Sequence, residues 1–120
     1  MSHVVVIQTR VYDAVTVQAI CERMKVPSPK WGTAELFSGT FSGLLVQLPE
    51  WRYPLVIETL TGIVRLDNFE GRWGEQRHFD AFLQLYAVEK TKLEARRKGC
   101  SVTEQPMPDG SIKLQILGAY

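Results

Sequence analysis

The residues best suited to chemistry stand in one stretch, residues 67–82, which reads DNFEGRWGEQRHFDAF. Arg72 and Arg77 carry planar guanidinium groups, which can bind a carboxylate or a phosphate through two parallel hydrogen bonds. Backbone N–H groups at the start of a helix attract the same anions, and Trp73 could offer a flat apolar surface. The stretch therefore predicts an anion pocket or a notch for a peptide, with these binding residues: Asp67, Asn68, Gly71, Arg72, Trp73, Gly74 and Arg77.

The same stretch also has the composition of an ordinary connection between a strand and a helix. Asp67 and Asn68 favour turns because their side chains bond nearby backbone groups. Phe69 and Trp73 can close one end of the core, and the arginines can pair with neighbouring acids. His78 can be a half-buried helix residue rather than a general base. Both interpretations stay open, although binding residues do concentrate in such loops.

A second candidate surface is the segment PEWRYP, which contains Trp51, Arg52 and Tyr53. These residue types dominate the binding energy at protein interfaces. Trp31 and Phe41 could join them in one exposed apolar patch. Alternatively, the rings fold back onto the core, and the sequence does not separate the two arrangements.

The residues needed for catalysis or metal binding form no recognisable set. The chain has two histidines, His3 and His78, and none of the motifs of nucleophilic hydrolases, nucleotide-binding loops or zinc proteases. Cys21 and Cys100 lack CxxC spacing and are expected to be buried or half-buried thiols in a reducing compartment. We therefore expect a protein that is not an enzyme and that uses no metal or cofactor.

The first part of the chain reads as a strand, a helix and a less regular segment. Residues 3–11 are rich in β-branched types and predict a strand in the centre of a sheet. Asp13 is the expected N-cap of a helix over residues 14–25, which two prolines follow. Residues 28–43 read as a mobile loop with room for a short strand at residues 34–37.

The rest of the chain alternates strands with one long helix. The predicted elements are a strand at residues 44–48, a hairpin of residues 55–58 and 63–66, a helix at 75–98, and a hairpin of residues 101–105 and 111–117. Gly62 suits the first turn, and Gly99 suits the end of the helix. The helix is expected to bury one face, made of Phe79, Phe82, Leu83, Tyr86, Ala87 and Leu93.

These elements predict an α+β fold in a single domain over residues 1–120. Two helices, each with one apolar stripe, would pack on one face of one antiparallel sheet, in an arrangement that could be ferredoxin-like. The composition, 45% hydrophobic and 22% charged, suits a globular protein. Since no apolar run suits a signal peptide or a membrane span, we expect a cytoplasmic protein without a membrane partner, or a stromal one if it is plastid-encoded.

The charge argues against a nucleic acid as the main partner. The chain has 14 basic and 13 acidic residues, and its net charge is +1. Affinity for phosphates usually needs a larger basic excess. RNA binding would also need exposed aromatic side chains on adjacent strands, and the predicted strands contain few. RNA therefore ranks behind a protein or a small anion.

Several motifs resemble a known family. The chain is similar to the conserved plastid and cyanobacterial reading frame thirty-five, a domain of unknown function, in the start MSHVVVIQTRV, the strand YPLVIETLTGIVRLDN, the segment GRWG, the helix FLQLYAVEKTKLEARRKG and the ending SVTEQPMPDGSIKL. The resemblance covers nearly all of the chain except residues 28–43. It implies a small single domain and carries no catalytic residues. Related bacterial genes stand near genes for ring-shaped ATPases, which implies an adaptor role beside such an ATPase.

Taken together, the sequence predicts a small non-enzymatic binding or adaptor protein. A protein partner would dock at the GRWG loop, with Trp51 and Tyr53 beside it. The alternative is a small anion or metabolite at the N-terminus of the long helix. A concave pocket with converging amides and arginines would favour the anion, and a flat aromatic patch would favour the protein. Unpaired strand edges could also join two copies in a homodimer.

Overall fold

The computed structural model describes residues 5–118, apart from the side chains of Val5, Val6 and Gln8. The start of the predicted first strand, with His3, lies outside the described residues. The elements are β1 (Val5–Gln8), α1 (Ala14–Met24), β2 (Lys30–Leu36), β3 (Gly39–Val46), β4 (Leu55–Glu58), β5 (Ile63–Leu66), α2 (Gln76–Arg97), β6 (Cys100–Pro106) and β7 (Ile112–Gly118).

The fold is α+β, as predicted, and it contains two antiparallel sheets. Five strands form the main sheet in the order β1-β5-β4-β3-β2, and β6 pairs with β7 in a separate two-stranded sheet. The prediction of a single sheet was therefore wrong, because the last hairpin forms a sheet of its own. The prediction of a central first strand was also wrong, because β1 pairs with β5 at an edge. A meander from β2 to β5 with β1 at its end is not the ferredoxin-like order.

The first helix begins and ends where its local signals predict. The Asp13 side chain accepts hydrogen bonds from the amides of Val15 and Thr16, at 3.0 and 3.4 Å. At the other end Lys25 adopts a left-handed conformation with φ of 59°. The N–H of Lys25 is bonded to the last carbonyls of α1, and this closes the helix before the prolines.

The loop predicted over residues 28–43 is instead the hairpin of β2 and β3. Seven consecutive residue pairs join the two strands, from Lys30 and Leu45 to Leu36 and Gly39. Gly43 allows β4 to approach, since a Cβ there would lie 2.5 Å from the carbonyl oxygen of Ile57. The many glycines and small polar residues in this segment have low strand propensity, so the sequence did not predict the strands. Pairing between β2 and β3 stabilises them instead.

Both helices pack on the same face of the main sheet, as predicted. The main core lies between them and the sheet and consists of Val11, Val17, Ile20, Cys21, Leu44, Val46, Leu48, Trp51, Leu55, Ile57, Val64, Leu66, Phe79, Phe82 and Tyr86. A smaller cluster covers part of the opposite face, on which none of the described helices packs: Ala34, Leu36, Val56, Phe41, Leu45 and Tyr53. Among the described helices, none combines the length and apolar character of a membrane span.

The second helix carries two buried stripes rather than one. Phe79, Phe82 and Tyr86 lie in the main core, as the spacing predicts. Ala87, which was predicted on the same face, is exposed. Val88 and Ala95 are buried outside the main core, and β6 and β7 pack on this helix. The second stripe therefore supports the final hairpin, whose strands and turn agree with the prediction.

Candidate functional site

The loop between β5 and α2 is held from within by two buried side chains. Asp67 is completely buried, and its Oδ2 accepts a hydrogen bond of 3.2 Å from the N–H of Phe37. Its Oδ1 is buried without a hydrogen-bond partner among the described residues. Asn68 Nδ2 lies 3.3 Å from Gln76 Oε1, at the start of α2. These side-chain hydrogen bonds therefore connect the end of β5 to the β2–β3 turn and to the start of α2.

Three backbone amides of this loop donate hydrogen bonds within the loop itself. The amides of Gly71 and Trp73 both donate to the carbonyl of Asn68, at 3.0 and 2.9 Å, and the amide of Arg72 donates to the carbonyl of Phe69 at 3.0 Å. The prediction that the loop amides receive an anion is therefore wrong for these three groups, because the tight turn pairs them with its own carbonyls.

Trp73 is the centre of an aromatic group that we call the Trp73 cluster: Phe37, Tyr53, Phe69 and Trp73. Ring centroids of Phe69, Phe37 and Tyr53 lie 4.7, 5.3 and 5.6 Å from that of Trp73. Phe37 comes from the β2–β3 turn and is 54% exposed, while the other three rings are half-buried. Three separate segments therefore build one partly exposed aromatic surface.

Two arginines stack on this cluster. The guanidinium of Arg52 lies 4.9 Å from the ring centroid of Trp73 and 5.4 Å from that of Tyr53, and that of Arg72 lies 4.9 Å from Phe69. Both arginines are exposed, and neither has a carboxylate within 4.0 Å among the described residues. Stacking restrains a guanidinium plane while its edge N–H groups stay able to bind an anion.

Arg77 is placed differently from these two arginines. Its Nε lies 2.6 Å from Glu75 Oε2, and both side chains are mostly exposed. The hydrogen bond from Arg77 lowers the pKa of the Glu75 carboxyl below its ordinary value. An exposed pair of this kind contributes little stability, but it occupies Arg77 with an internal partner.

Arg52 and Arg72 both line one cavity with a volume of about 330 Å³. Its lining also includes Trp73, His78, Glu50 and Glu75. His78 Nδ1 is buried without a hydrogen-bond partner in the described part of the chain. Glu75, the N-cap of α2, makes no side-chain hydrogen bond to the helix start. The cavity therefore combines two cations, an imidazole and an uncapped helix N-terminus, although two acids lie at the same place.

The prediction of a surface role for Trp51 is wrong. Trp51 is only 4% exposed, and its Nε1 donates to the Glu75 carbonyl at 3.1 Å. Gly74 is buried against it, as a Cβ at Gly74 would meet the Trp51 ring at 2.3 Å. This ring folds back onto the core, which is the alternative that the sequence left open. Tyr53 stays partly exposed in the Trp73 cluster.

The broader aromatic patch predicted with Trp31 and Phe41 does not form. Trp31 pairs with Leu44 of the main core, whereas Phe41 pairs with Ala34 of the smaller cluster. Since paired residues share a face, the two rings lie on opposite faces of the sheet. Arg65 stacks on Phe41, with 5.3 Å between guanidinium and ring centroid.

The predicted burial of the two cysteines is confirmed, since one is buried and the other half-buried. Cys21 is buried and Cys100 is half-buried, and both are free. Burial, followed by the charge of Glu22, raises the pKa of the Cys21 thiol to about 11. Within residues 5–118, no three His, Cys, Asp or Glu side chains are grouped in a way that could hold a metal ion.

The sequence predicted the PEWRYP loop near the GRWG loop, but it did not identify Arg52 or His78 as residues of the site. The sequence suggested Arg52 only through the composition of PEWRYP, and it suggested His78 as a helix residue. Their shared cavity depends on residues far apart in the chain, and the hydrogen bond between the Arg52 amide and the Trp73 carbonyl, 2.8 Å long, links the two loops.

No protein-family model, no curated protein and no solved structure gives a significant match to this chain. The resemblance to reading frame thirty-five therefore stays a prediction, and the function is argued from the geometry of the site.

Proposed function

We propose that this protein is a small non-enzymatic binding or adaptor protein that docks an acidic segment of a protein partner at the GRWG loop. One observation supports the proposal above the others: among the described residues Arg52 and Arg72 have no carboxylate partner, and both stack on the Trp73 cluster and line the same cavity. Such arginines bind carboxylates with defined geometry.

The surroundings favour a protein as the source of the carboxylate. Tryptophan, tyrosine and arginine are the residue types that contribute most at protein interfaces, and all three meet here. The exposed ring of Phe37 extends the surface beyond the cavity. A partner would insert an aspartate or glutamate between the arginines and cover the rings with apolar side chains. A ring-shaped ATPase is the partner that the resemblance implies, and the cytoplasm, or a stroma, is where we expect the interaction.

The test is affinity purification of the wild type and of the double variant Arg52→Ala/Arg72→Ala from the native cell. The matched control is Arg96→Ala/Arg97→Ala, which removes the same charge from exposed positions at the far end of α2. We expect one partner to be lost only from the first variant, with unchanged circular dichroism. An acidic peptide from that partner should then bind the wild type directly, and more weakly as salt rises. Identical partners in all three samples would contradict the proposal.

A second candidate is a small anion or metabolite at the N-terminus of α2. His78 Nδ1, which has no hydrogen-bond partner among the described residues, favours this function, and the cavity of about 330 Å³ matches the lower end of small-molecule sites. Titration calorimetry with phosphate and with citrate would separate the two functions. Saturable binding that Arg72→Ala and His78→Ala both abolish, without loss of any protein partner, would favour the small anion.

A further inference from the structure

Strand β2 has one edge that pairs with no other strand among the described residues. It is the last strand of the main sheet and pairs only with β3 among the described residues. Natural edge strands are usually short, interrupted by proline or a bulge, or charged, and β2 has only the last of these protections, in Lys30 and Glu35. β2 has seven residues, contains no proline between Lys30 and Leu36, and pairs without a skipped residue. Its first four residues and Glu35 are exposed.

The hairpin geometry determines which residues of β2 face outward. A two-residue loop connects Leu36 to Gly39, so these two form the last hydrogen-bonded pair. Hydrogen-bonded and non-hydrogen-bonded pairs then alternate along the hairpin. The close contact between the hydroxyls of Thr33 and Ser42, 2.7 Å, is typical of a non-hydrogen-bonded pair. The backbone groups of Trp31, Thr33 and Glu35 therefore point away from β3.

We propose that two copies of this chain form a homodimer by antiparallel pairing of their β2 strands about a two-fold axis at Thr33. Thr33 is the middle residue of the Lys30–Leu36 strand. In this register each outward-facing residue meets another: Trp31 meets Glu35 of the second copy, and Thr33 meets Thr33. All seven residues are paired, and the two sheets become one continuous sheet.

The side chains of β2 suit a second copy as the occupant. No two like charges face each other in this register, because Lys30 lies opposite Leu36 and Glu35 lies opposite Trp31. Threonine pairs across antiparallel strands are favourable. Trp31, now 63% exposed at the sheet edge, would pack along the stem of Glu35 and beside Thr33 of the second copy. The register thus covers a large exposed ring that no described residue buries.

The proposed dimer would affect how the binding surface is presented, although the dimer proposal does not depend on the proposed function of that surface. A two-fold axis perpendicular to the sheet keeps the same face upward in both copies. The two Trp73 clusters, which lie beyond the β2–β3 turn of each copy, would therefore face the same side. Two such sites could bind a repetitive partner together, with a higher apparent affinity than one site.

Disulfide trapping tests the register directly. In a Cys100→Ser background, Thr33→Cys places two thiols on the two-fold axis, where paired Cα atoms lie about 5.5 Å apart and a disulfide can form. The matched control is Ser42→Cys, directly opposite Thr33 on β3 and equally exposed. Its two copies would be about three strand spacings apart, roughly 14 Å, which is too far for a disulfide. We expect a covalent dimer from Thr33→Cys and none from Ser42→Cys.

The second test measures the oligomeric state of the unmodified protein by analytical ultracentrifugation. We expect a dimer whose fraction rises with concentration, and we expect its loss in Thr33→Pro. Proline there removes an outward N–H that the monomer does not use in its sheet, and circular dichroism checks that the fold is kept. A monomer at all concentrations without cross-linking would overturn the proposal. So would a dimer in which Thr33→Cys and Ser42→Cys cross-link equally, since another surface would then form it.

Discussion

At the residue scale, the shape of the candidate site depends on one glycine that lies against one tryptophan. Gly74 leaves the space in which the Trp51 ring lies, and Trp51 Nε1 bonds the carbonyl of Glu75 at the start of α2. A buried ring thus supports the loop whose outer side carries Trp73 and Arg72. The residues that hold the site differ from those that would bind a partner.

Replacing Gly74 by alanine is therefore expected to destabilise the fold. The added Cβ would lie 2.3 Å from the Trp51 ring, so ring and loop must move apart, at a cost of about 1–3 kcal/mol. Urea denaturation followed by fluorescence measures the change. Gly39→Ala is the control, because its Cβ would make only ordinary contacts of 3.5 Å with the Phe41 ring. Equal stabilities of the two variants would show that the loop accommodates the methyl group.

At the element scale, an ion-pair network connects the final hairpin to both helices. Arg23 of α1 contacts Glu89 of α2 at 2.9 Å and Glu104 of β6 at 2.6 Å, and Lys92 of α2 contacts Glu104 at 2.7 Å. Hydrogen bonds from Arg23, then from Lys92, lower the pKa of the Glu104 carboxyl to about 2 from its ordinary 4.5. Three elements that share no backbone pairing are joined by one carboxylate.

This network should make part of the stability depend on acid. Because the pKa of Glu104 is lower in the folded state, its contribution is complete above about pH 4.5 and is lost as the pH falls toward 2. We expect Glu104→Gln to be less stable than wild type at neutral pH, with a difference that shrinks at about pH 3. Urea denaturation at both pH values measures this. A difference that stays constant with pH would mean that the pair stabilises through packing rather than charge.

At the scale of the whole molecule, stability is expected to be uneven. The main sheet has five strands and two covering helices, whereas β6 and β7, among the described residues, pair only with each other, pack on α2 and contact α1 through the Arg23–Glu104 ion pair. A two-stranded hairpin has little stability of its own. The hairpin therefore depends on α2 and on the Glu104 network for its attachment.

Amide hydrogen exchange should reveal this difference. We expect the amides of β6 and β7 to exchange faster than those of β3 and β4, since the hairpin can open without unfolding the main core. Nuclear magnetic resonance or mass spectrometry can follow both groups in one experiment. Equal protection in the two sheets would show that hairpin and core unfold as one unit.

Much of the secondary structure could be read from the sequence because its signals are local. Asp13 caps the first helix, Gly62 and Gly99 adopt the positive φ that their turns need, and the spacing of Phe79, Phe82 and Tyr86 identifies the core face of α2. Each of these signals acts within a few residues, so folding elsewhere in the chain does not alter it.

The β2–β3 hairpin and the set of residues that form the site depend on tertiary packing and could not be predicted from the sequence. Residues 30–43 have weak strand propensity and become strands by pairing within the β2–β3 hairpin, whose last residues, 44–46, pair with β4. Trp51 and Tyr53 are two residues apart and similar in type, yet Trp51 is buried and Tyr53 is partly exposed in the Trp73 cluster. Which ring is buried, and which arginine forms an ion pair with another described residue, depends on packing between distant segments, and a sequence pattern does not contain that information.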